Sequence, residues 1–470
     1  MNPLKKLASQ TAIYGLSSVI GRLLNYLLVP LYTRYFLPAE YGVVTELYAY
    51  VAFLVIVLTY GLETAFFRFS KKDNDVKVVY STALISLIVS SIIFVVLMFA
   101  SSPSIASWMG YAGHTEYIEW FAIIIALDAV ASISFARLRE QDKAIRFALV
   151  RLINIFVNIG LNLYFIVHKE FGIEYIFISN LIASIVTLVM LFPEMINSSW
   201  RFDKVLWKKM MIYALPLLIA GLAGMTNETI DRILLKHLLP NTEIAASELG
   251  LYGAFYKLSI IMTLFIQTFR FAAEPFFFAQ EKEGNSKKIY ADVMKYFTIV
   301  MAIIFLGVTI FYDIIKGFLG SEYHDERGFL VVSILLLANL FLGIYYNLSI
   351  WYKLTEKTKY GAYLSVFGAI ITITLNFTLI PIIGFVGSAW TTLICYFSMT
   401  IASYYLGKKH FPIPYQVSRI GLYLLGMLGI YFFIYFTDSS MWYNSLYLVG
   451  FIISIFVLEK QNKTVISNPK

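Results

Sequence analysis

In the run SSVIGRLLNYLLVPLY, Ser17 to Tyr32, an arginine interrupts a stretch otherwise apolar enough to cross a membrane. At about 1.5 Å of rise per residue, Arg22 lies roughly 24 Å past Lys6 and 18 Å before Arg34, the charges that bound the run. A guanidinium at that depth costs about 2.5 to 3.5 kcal/mol on insertion scales, so it faces a partner, a cavity or water. Its planar fork donates two parallel hydrogen bonds, which suits an anion and phosphate oxygens in particular. Four more basic side chains fall inside apolar segments: Arg151, Lys257, Arg270 and Lys295. Lys295 lies just inside Lys287-Lys288 and is expected to snorkel to the headgroups. Arg151 is five residues past Arg146, so its depth leaves snorkelling and function both open.

The intramembrane carboxylates form a second set. Asp128 has no neighbour of opposite sign three or four residues away, so it must be protonated, paired across helices or wet. Asn227, Glu228 and Asp231 cluster in one segment, with Asn227 and Asp231 on a common face; Arg232, being adjacent, is expected to face elsewhere. Arg270 and Glu274 are four apart and can neutralise each other. With Glu63, these carboxylates are candidates for charge balance or for carrying H+ or Na+.

Other chemistry is absent from the pattern. The five histidines have no zinc spacing, and no phosphate loop, dinucleotide fingerprint or nucleophile elbow occurs. No cofactor or metal is therefore expected. Asp73-Asn74-Asp75 forms a DxD, but in a short lysine-rich loop a solvated turn is the better reading. The single cysteine, Cys395, cannot form an internal disulfide.

These side chains must be positioned by membrane helices. The 470 residues are 59% hydrophobic and 14% charged, with a mean hydropathy of +0.73, which is outside the range of an ordinary soluble domain. About fourteen segments of spanning length are centred near residues 21, 54, 88, 127, 157, 183, 222, 264, 302, 340, 369, 394, 427 and 450. The uncharged stretch between Lys359 and Lys408, broken at Pro381-Ile382-Ile383-Gly384, reads as two helices and a tight hairpin. Transmembrane strands do not fit long unbroken apolar runs. Lys5 and Lys6 lead into a full span without a small-residue cleavage site, so a cleaved leader is not expected.

Of 37 Lys and Arg, six fall on one set of loops (Arg34, Lys169, Arg232, Lys236, Lys316, Arg327), five fall within spans, and the rest lie on the other side. That bias places both termini in the cytoplasm. It also accounts for the net charge of +8 without nucleic acid as a partner.

The chain also repeats itself at an offset a little over 200. Tyr41-Gly42, then Glu63 and Phe66-Phe67, recur as Tyr252-Gly253, then Glu274 and Phe277-Phe278. Asn25, Arg34, Leu37 and Pro38 answer to Asn227, Lys236, Leu239 and Pro240; Lys143 and Leu161-Asn162 answer to Lys357 and Leu375-Asn376. Six spans precede the second copy, so both enter the membrane in the same sense, as a parallel repeat about an axis along the membrane normal. The expectation is an all-α polytopic membrane protein with two parallel six-helix lobes, 1–200 and 201–412, and an additional helix pair with a tail, 413–470.

Leu37-Pro38-Ala39-Glu40-Tyr41-Gly42, following an arginine-bearing first span, resembles the L-P-x-x-Y-G stretch of bacterial polysaccharide biosynthesis membrane proteins, the lipid-linked oligosaccharide flippases of the multidrug/oligosaccharidyl-lipid/polysaccharide exporter superfamily. The resemblance implies two lobes that alternate access and a cargo of polyprenyl-pyrophosphate-linked oligosaccharide, turned from the cytoplasmic to the outer leaflet of the inner membrane. It implies no enzyme activity. Arg22 and Arg270 match by position the pyrophosphate-binding arginines of related lipid II flippases; Arg151, Lys257, Asn25 and Asn227 complete the candidate headgroup set. Membrane lipids, a polysaccharide polymerase and glycosyltransferases are the further partners expected. A cation-coupled drug or metabolite extruder and a membrane glycosyltransferase are the competing readings.

The topology is directly testable: alkaline phosphatase fused after residue 320 is expected to be active, and a fluorescent protein fused after residue 470 to fluoresce. The opposite pattern would invert the assignment.

Overall fold

The computed structural model describes residues 20–70, 75–280, 285–437 and 440–467, and among them every regular element is helical. Thirteen helices are long and apolar enough to cross a membrane. Each of the thirteen expected centres from residue 54 onward falls inside one of them. The span centred near residue 21 lies partly outside the described residues; its described part is helical from residue 20 and continues as α1 (Leu28–Tyr35). The chain is a multi-pass membrane protein.

The second span is broken into α2 (Pro38–Thr59) and α3 (Leu62–Ser70), followed by α4 (Val76–Trp108), α5 (Thr115–Glu140), α6 (Ala144–Asn162) with a π-helical extension to His168, and α7 (Glu174–Ile196). Then come α8 (Lys204–Leu238), α9 (Thr242–Leu258), α10 (Ile260–Gln280), α11 (Ser286–Ile310) and the short α12 (Tyr312–Lys316). The chain continues with α13 (Gly328–Leu348), α14 (Ile350–Leu354), α15 (Lys359–Ile383), α16 (Phe385–His410), α17 (Val417–Thr437) and α18 (Met441–Ser467).

The Leu-Pro pairs explain two of these starts. Pro38 occupies the first helical position of α2, where its missing N–H is harmless, and the Glu40 carboxylate accepts a hydrogen bond from the Leu37 N–H at 2.8 Å. In the second copy, Asn241 after Leu239-Pro240 accepts from the Glu243 and Ile244 amides and opens α9. Both copies then break after about twenty residues, at Tyr60-Gly61 with positive φ and at Ser259. The expected hairpin narrows to one residue: Gly384, at φ +59°, separates α15 from α16, and Pro381 stays inside α15.

By packing, the chain forms two compact units, one of the chain up to Gly253 with Thr372–Phe385 and the other of Ala254–Ile371 with Val386–Lys470. The first unit thus includes the opening helices of the second sequence copy. In it, α5 is the most enclosed helix, with 72% of its apolar window buried, whereas α4 has 22% and presents Val89, Ile92, Ile93, Val96 and Leu97 outward, as lipid contact requires. Helices approach most closely through glycine: a Cβ on Gly42 would lie 2.0 Å from the Ala246 carbonyl oxygen, and one on Gly250 would lie 1.8 Å from that of Pro38.

In the second unit α13 holds the enclosed place, also 72% buried. The helix pair without a repeat counterpart is tied there by charge. Lys295 on α11 is buried and donates to Glu459 on α18 at 2.6 Å; the Tyr423 hydroxyl of α17 donates to the same carboxylate at 2.6 Å, and Arg419 lies 3.7 Å away. The snorkelling expected of Lys295 is therefore replaced by an interhelical ion pair, because a carboxylate from the last helix reaches it before the headgroups do.

Hydroxyls inside the spans are mostly satisfied by the carbonyl one turn back, as for Thr45, Ser179, Thr187, Thr298 and Thr309.

Gly250→Val is expected to abolish the monodisperse peak in fluorescence-detected size exclusion, since backbone cannot yield. Gly224→Ala, with no atom within 4 Å of its added Cβ, should leave that peak unchanged.

Candidate functional site

The repeat becomes chemistry at one end of each unit. In the first, Glu63 on α3 pairs with Arg139 at the end of α5, and the Arg139 guanidinium lies over Phe67 at 4.9 Å. In the second, Glu274 on α10 pairs with Lys353 on α14 and stands 3.9 Å from Arg270. The pairs occupy corresponding places in the two copies. The packing beside them is duplicated too: Phe66 meets Tyr80 edge-on at 6.2 Å, and Phe277 meets Tyr290 edge-on at 5.2 Å. Deeper in the membrane, Asn162 and Asn376 are both fully buried, and each donates to the carbonyl four residues back. Arg139 and Lys353 were not singled out from sequence, because each sits at a helix end and reads there as an interfacial charge.

The candidate basic residues differ in surroundings. Arg22 and Asn25 are exposed, and Arg22 makes no ion pair among the described residues. Arg270 is half-exposed, stacked over the Tyr346 ring at 4.0 Å and flanked by Glu274, so its charge is already shared. Arg151 lies over Phe135 at 4.3 Å and interacts electrostatically with Asp128. Lys257 is partly buried near the end of α9.

Asp128 is hydrogen-bonded across helices. The Ser184 hydroxyl of α7 donates to it at 2.9 Å, and Asn180, one turn earlier on that helix, donates to the Tyr48 hydroxyl of α2 at 2.8 Å. Of the seventh-span cluster, Asn227 and Asp231 are buried and Glu228 is exposed. Asn227 accepts a hydrogen bond from Thr372 at 3.4 Å, and Asp231 accepts one from the Tyr252 hydroxyl. Arg232 does not turn away as expected: its guanidinium comes within 3.6 Å of Asp231, since its long side chain can double back where a shorter one could not.

Three loop assignments are corrected here: Arg34 lies in the last turn of α1. Arg232 and Lys236 lie inside α8, and Lys236 is buried. Its ammonium donates to Glu46 at 2.9 Å and to the Tyr111 hydroxyl at 2.9 Å, and Tyr111 donates to the same carboxylate. Burial and then the adjacent carboxylate push the Tyr111 phenol well above its usual pKa, so it remains a donor. Sequence reasoning missed this cluster because Lys236 stands so near the break at Leu239-Pro240. The repeat offered one signal, since Lys236 answers to Arg34, which is exposed. Of the DxD, Asp73 lies outside the described residues, and Asp75 caps α4 by accepting from the Lys77 amide at 2.9 Å.

A cavity of about 410 Å³ in the second unit is lined by Asp313, Lys316, His324, Asp325 and Tyr435, among others. Two of its carboxylates are committed: Asp313 pairs with Lys316 at 2.5 Å, and hydrogen bonds from Arg327 hold the Asp325 carboxyl below its usual pKa. Among the described residues no group of three or more His, Cys, Asp or Glu could hold a metal.

Residues 31–327 match the family described as polysaccharide biosynthesis protein. The chain belongs to that family. No curated protein matches the chain significantly. Among solved structures, this polysaccharide biosynthesis protein is similar to a lipid II flippase, MurJ, in an inward closed conformation, with a TM-score of 0.76 and 16% identity over 96% of this chain and 99% of the other. It is also similar to an inward-facing multidrug resistance MATE transporter of the MOP superfamily (0.65, 14%, 85% and 94%) and to a MOP superfamily transporter from Pyrococcus furiosus described as having a binding pocket of reverse polarity (0.57, 14%, 86% and 94%). At these identities the likeness is one of fold: the chain has the fold seen in these transporters.

Asp128→Asn keeps an acceptor for Ser184 and is expected to leave thermal stability in detergent nearly unchanged. Asp128→Leu strands that hydroxyl, for an expected loss of about 1 to 3 kcal/mol.

Proposed function

We propose that the chain is a flippase that moves a polyprenyl-pyrophosphate-linked oligosaccharide from the cytoplasmic to the outer leaflet of the inner membrane, supplying cell-surface polysaccharide such as O-antigen, capsule or exopolysaccharide. Family membership supports the pathway class. The observation that carries the cargo assignment is Arg22: a guanidinium in the expected first span, exposed and without an ion pair among the described residues, keeps its full hydrogen-bonding fork for an incoming anion. Arg270 serves as the second phosphate ligand, its plane held by Tyr346.

The physical task is to carry a charged, hydrated headgroup across about 30 Å of hydrocarbon. Arginine and amide groups stand in for lost water while the polyprenyl tail remains in lipid. Alternating exposure of the two sequence lobes moves the opening rather than the barrier. Asp128, or the Glu228 and Asp231 pair, couples the cycle to H+ or Na+, and both termini lie in the cytoplasm. Arg151, Lys257, Asn25 and Asn227 line the headgroup's route, with Glu63 and Glu274 balancing neighbouring cations.

Reconstitution with a labelled polyprenyl-pyrophosphate sugar tests this. Arg22→Ala is expected to insert normally and lose at least tenfold in flipping rate, Arg22→Lys to retain part of it, and Arg270→Ala to fall between. Full activity in both Arg22 variants, with export of cationic dyes, would favour a drug extruder instead.

A further inference from the structure

The buried cluster of Glu46, Tyr111 and Lys236 joins three elements of the first unit: α2, the turn between α4 and α5, and the last turn of α8. The outermost of these, α2 and α8, belong to different sequence copies, being the second and seventh spans. The cluster lies at the membrane face that the charge bias assigns to the outside. One turn along α2, Tyr50 bonds to His237 at 2.9 Å, and His237 stacks on Trp108 at 4.9 Å, so α2 and α8 are tied twice at this end. Beside them, α2 and α9 touch backbone to backbone at Gly42 and Gly250.

Glu46 is fully buried and Lys236 is 7% exposed. An ion pair so enclosed is poor static cement, because desolvating two charges offsets most of their attraction. One oxygen of Glu46, Oε1, is buried with no hydrogen-bond partner, which penalises the closed arrangement further. Both penalties vanish when the helices part and water enters. An apolar seal of the same area would behave oppositely, being stable shut and costly to wet.

We propose that Glu46, Tyr111 and Lys236 form a reversible latch that holds the second and seventh spans together at the outer end and opens, by hydration of both charges, when the transporter turns outward. The inference rests on the transport reading but on no particular cargo. Its test therefore uses accessibility rather than flipping, so failure of the cargo assignment leaves the readout untouched.

The full chain carrying Cys395→Ser receives one reporter cysteine at a time. Ala245→Cys, at a fully buried position on α9, reports on the outer end; Phe67→Cys, on α3, reports on the inner end. Labelling with a membrane-impermeant maleimide is measured from each side. Glu46→Gln and Lys236→Met, each of which leaves one buried charge unpaired when the outer end is shut, are expected to raise outer labelling at least fivefold and to lower inner labelling; the double variant, which strands no buried charge and so keeps the test valid should a single variant misfold, is expected to lower outer labelling at least twofold. Unchanged outer labelling, or a rise at both ends, would overturn the latch in favour of a merely structural contact.

Discussion

A charge inside hydrocarbon has three stable conditions: partnered, wet or drawn out to the headgroups. This chain places ionised side chains in several spans, and the arrangement of its helices follows from how each is accommodated. Lys295 meets Glu459, Lys236 meets Glu46, and Asp231 meets Tyr252 and Arg232. Arg22 is left exposed, which is why it carries the functional proposal. The hydroxyls obey the same rule on a smaller scale by bonding to the preceding turn.

Duplication supplied the scaffold, and divergence supplied the asymmetry. The pairs Glu63 with Arg139 and Glu274 with Lys353, the flanking edge-on aromatic contacts and the buried Asn162 and Asn376 persist in both copies. Asn25 and Arg34 are exposed, whereas their counterparts Asn227 and Lys236 are buried. Features shared by both copies position helices; features present in one copy are where a transport cycle can acquire direction.

The C-terminal pair illustrates how an addition is secured in lipid. Apolar faces gain little by leaving lipid for another helix, so α17 and α18 could not be held by apolar area alone. Glu459 resolves this by accepting from Lys295 and Tyr423 at once, which specifies both the partner helix and the depth.

The order and approximate centres of the thirteen spans from residue 54 onward were legible in the sequence, because hydrocarbon demands about twenty apolar residues per crossing whatever the fold. The repeat was legible as well, and so was the hairpin at Gly384. Partnership was not. That Lys236 is buried rather than in a loop, that Lys295 finds Glu459 instead of the headgroups, and that Asp128 finds Ser184 each depends on helices far apart in the chain. Hydropathy records the transfer cost of a residue, a property of that residue alone; the remedy for the cost is a contact between two helices, and only tertiary packing selects it.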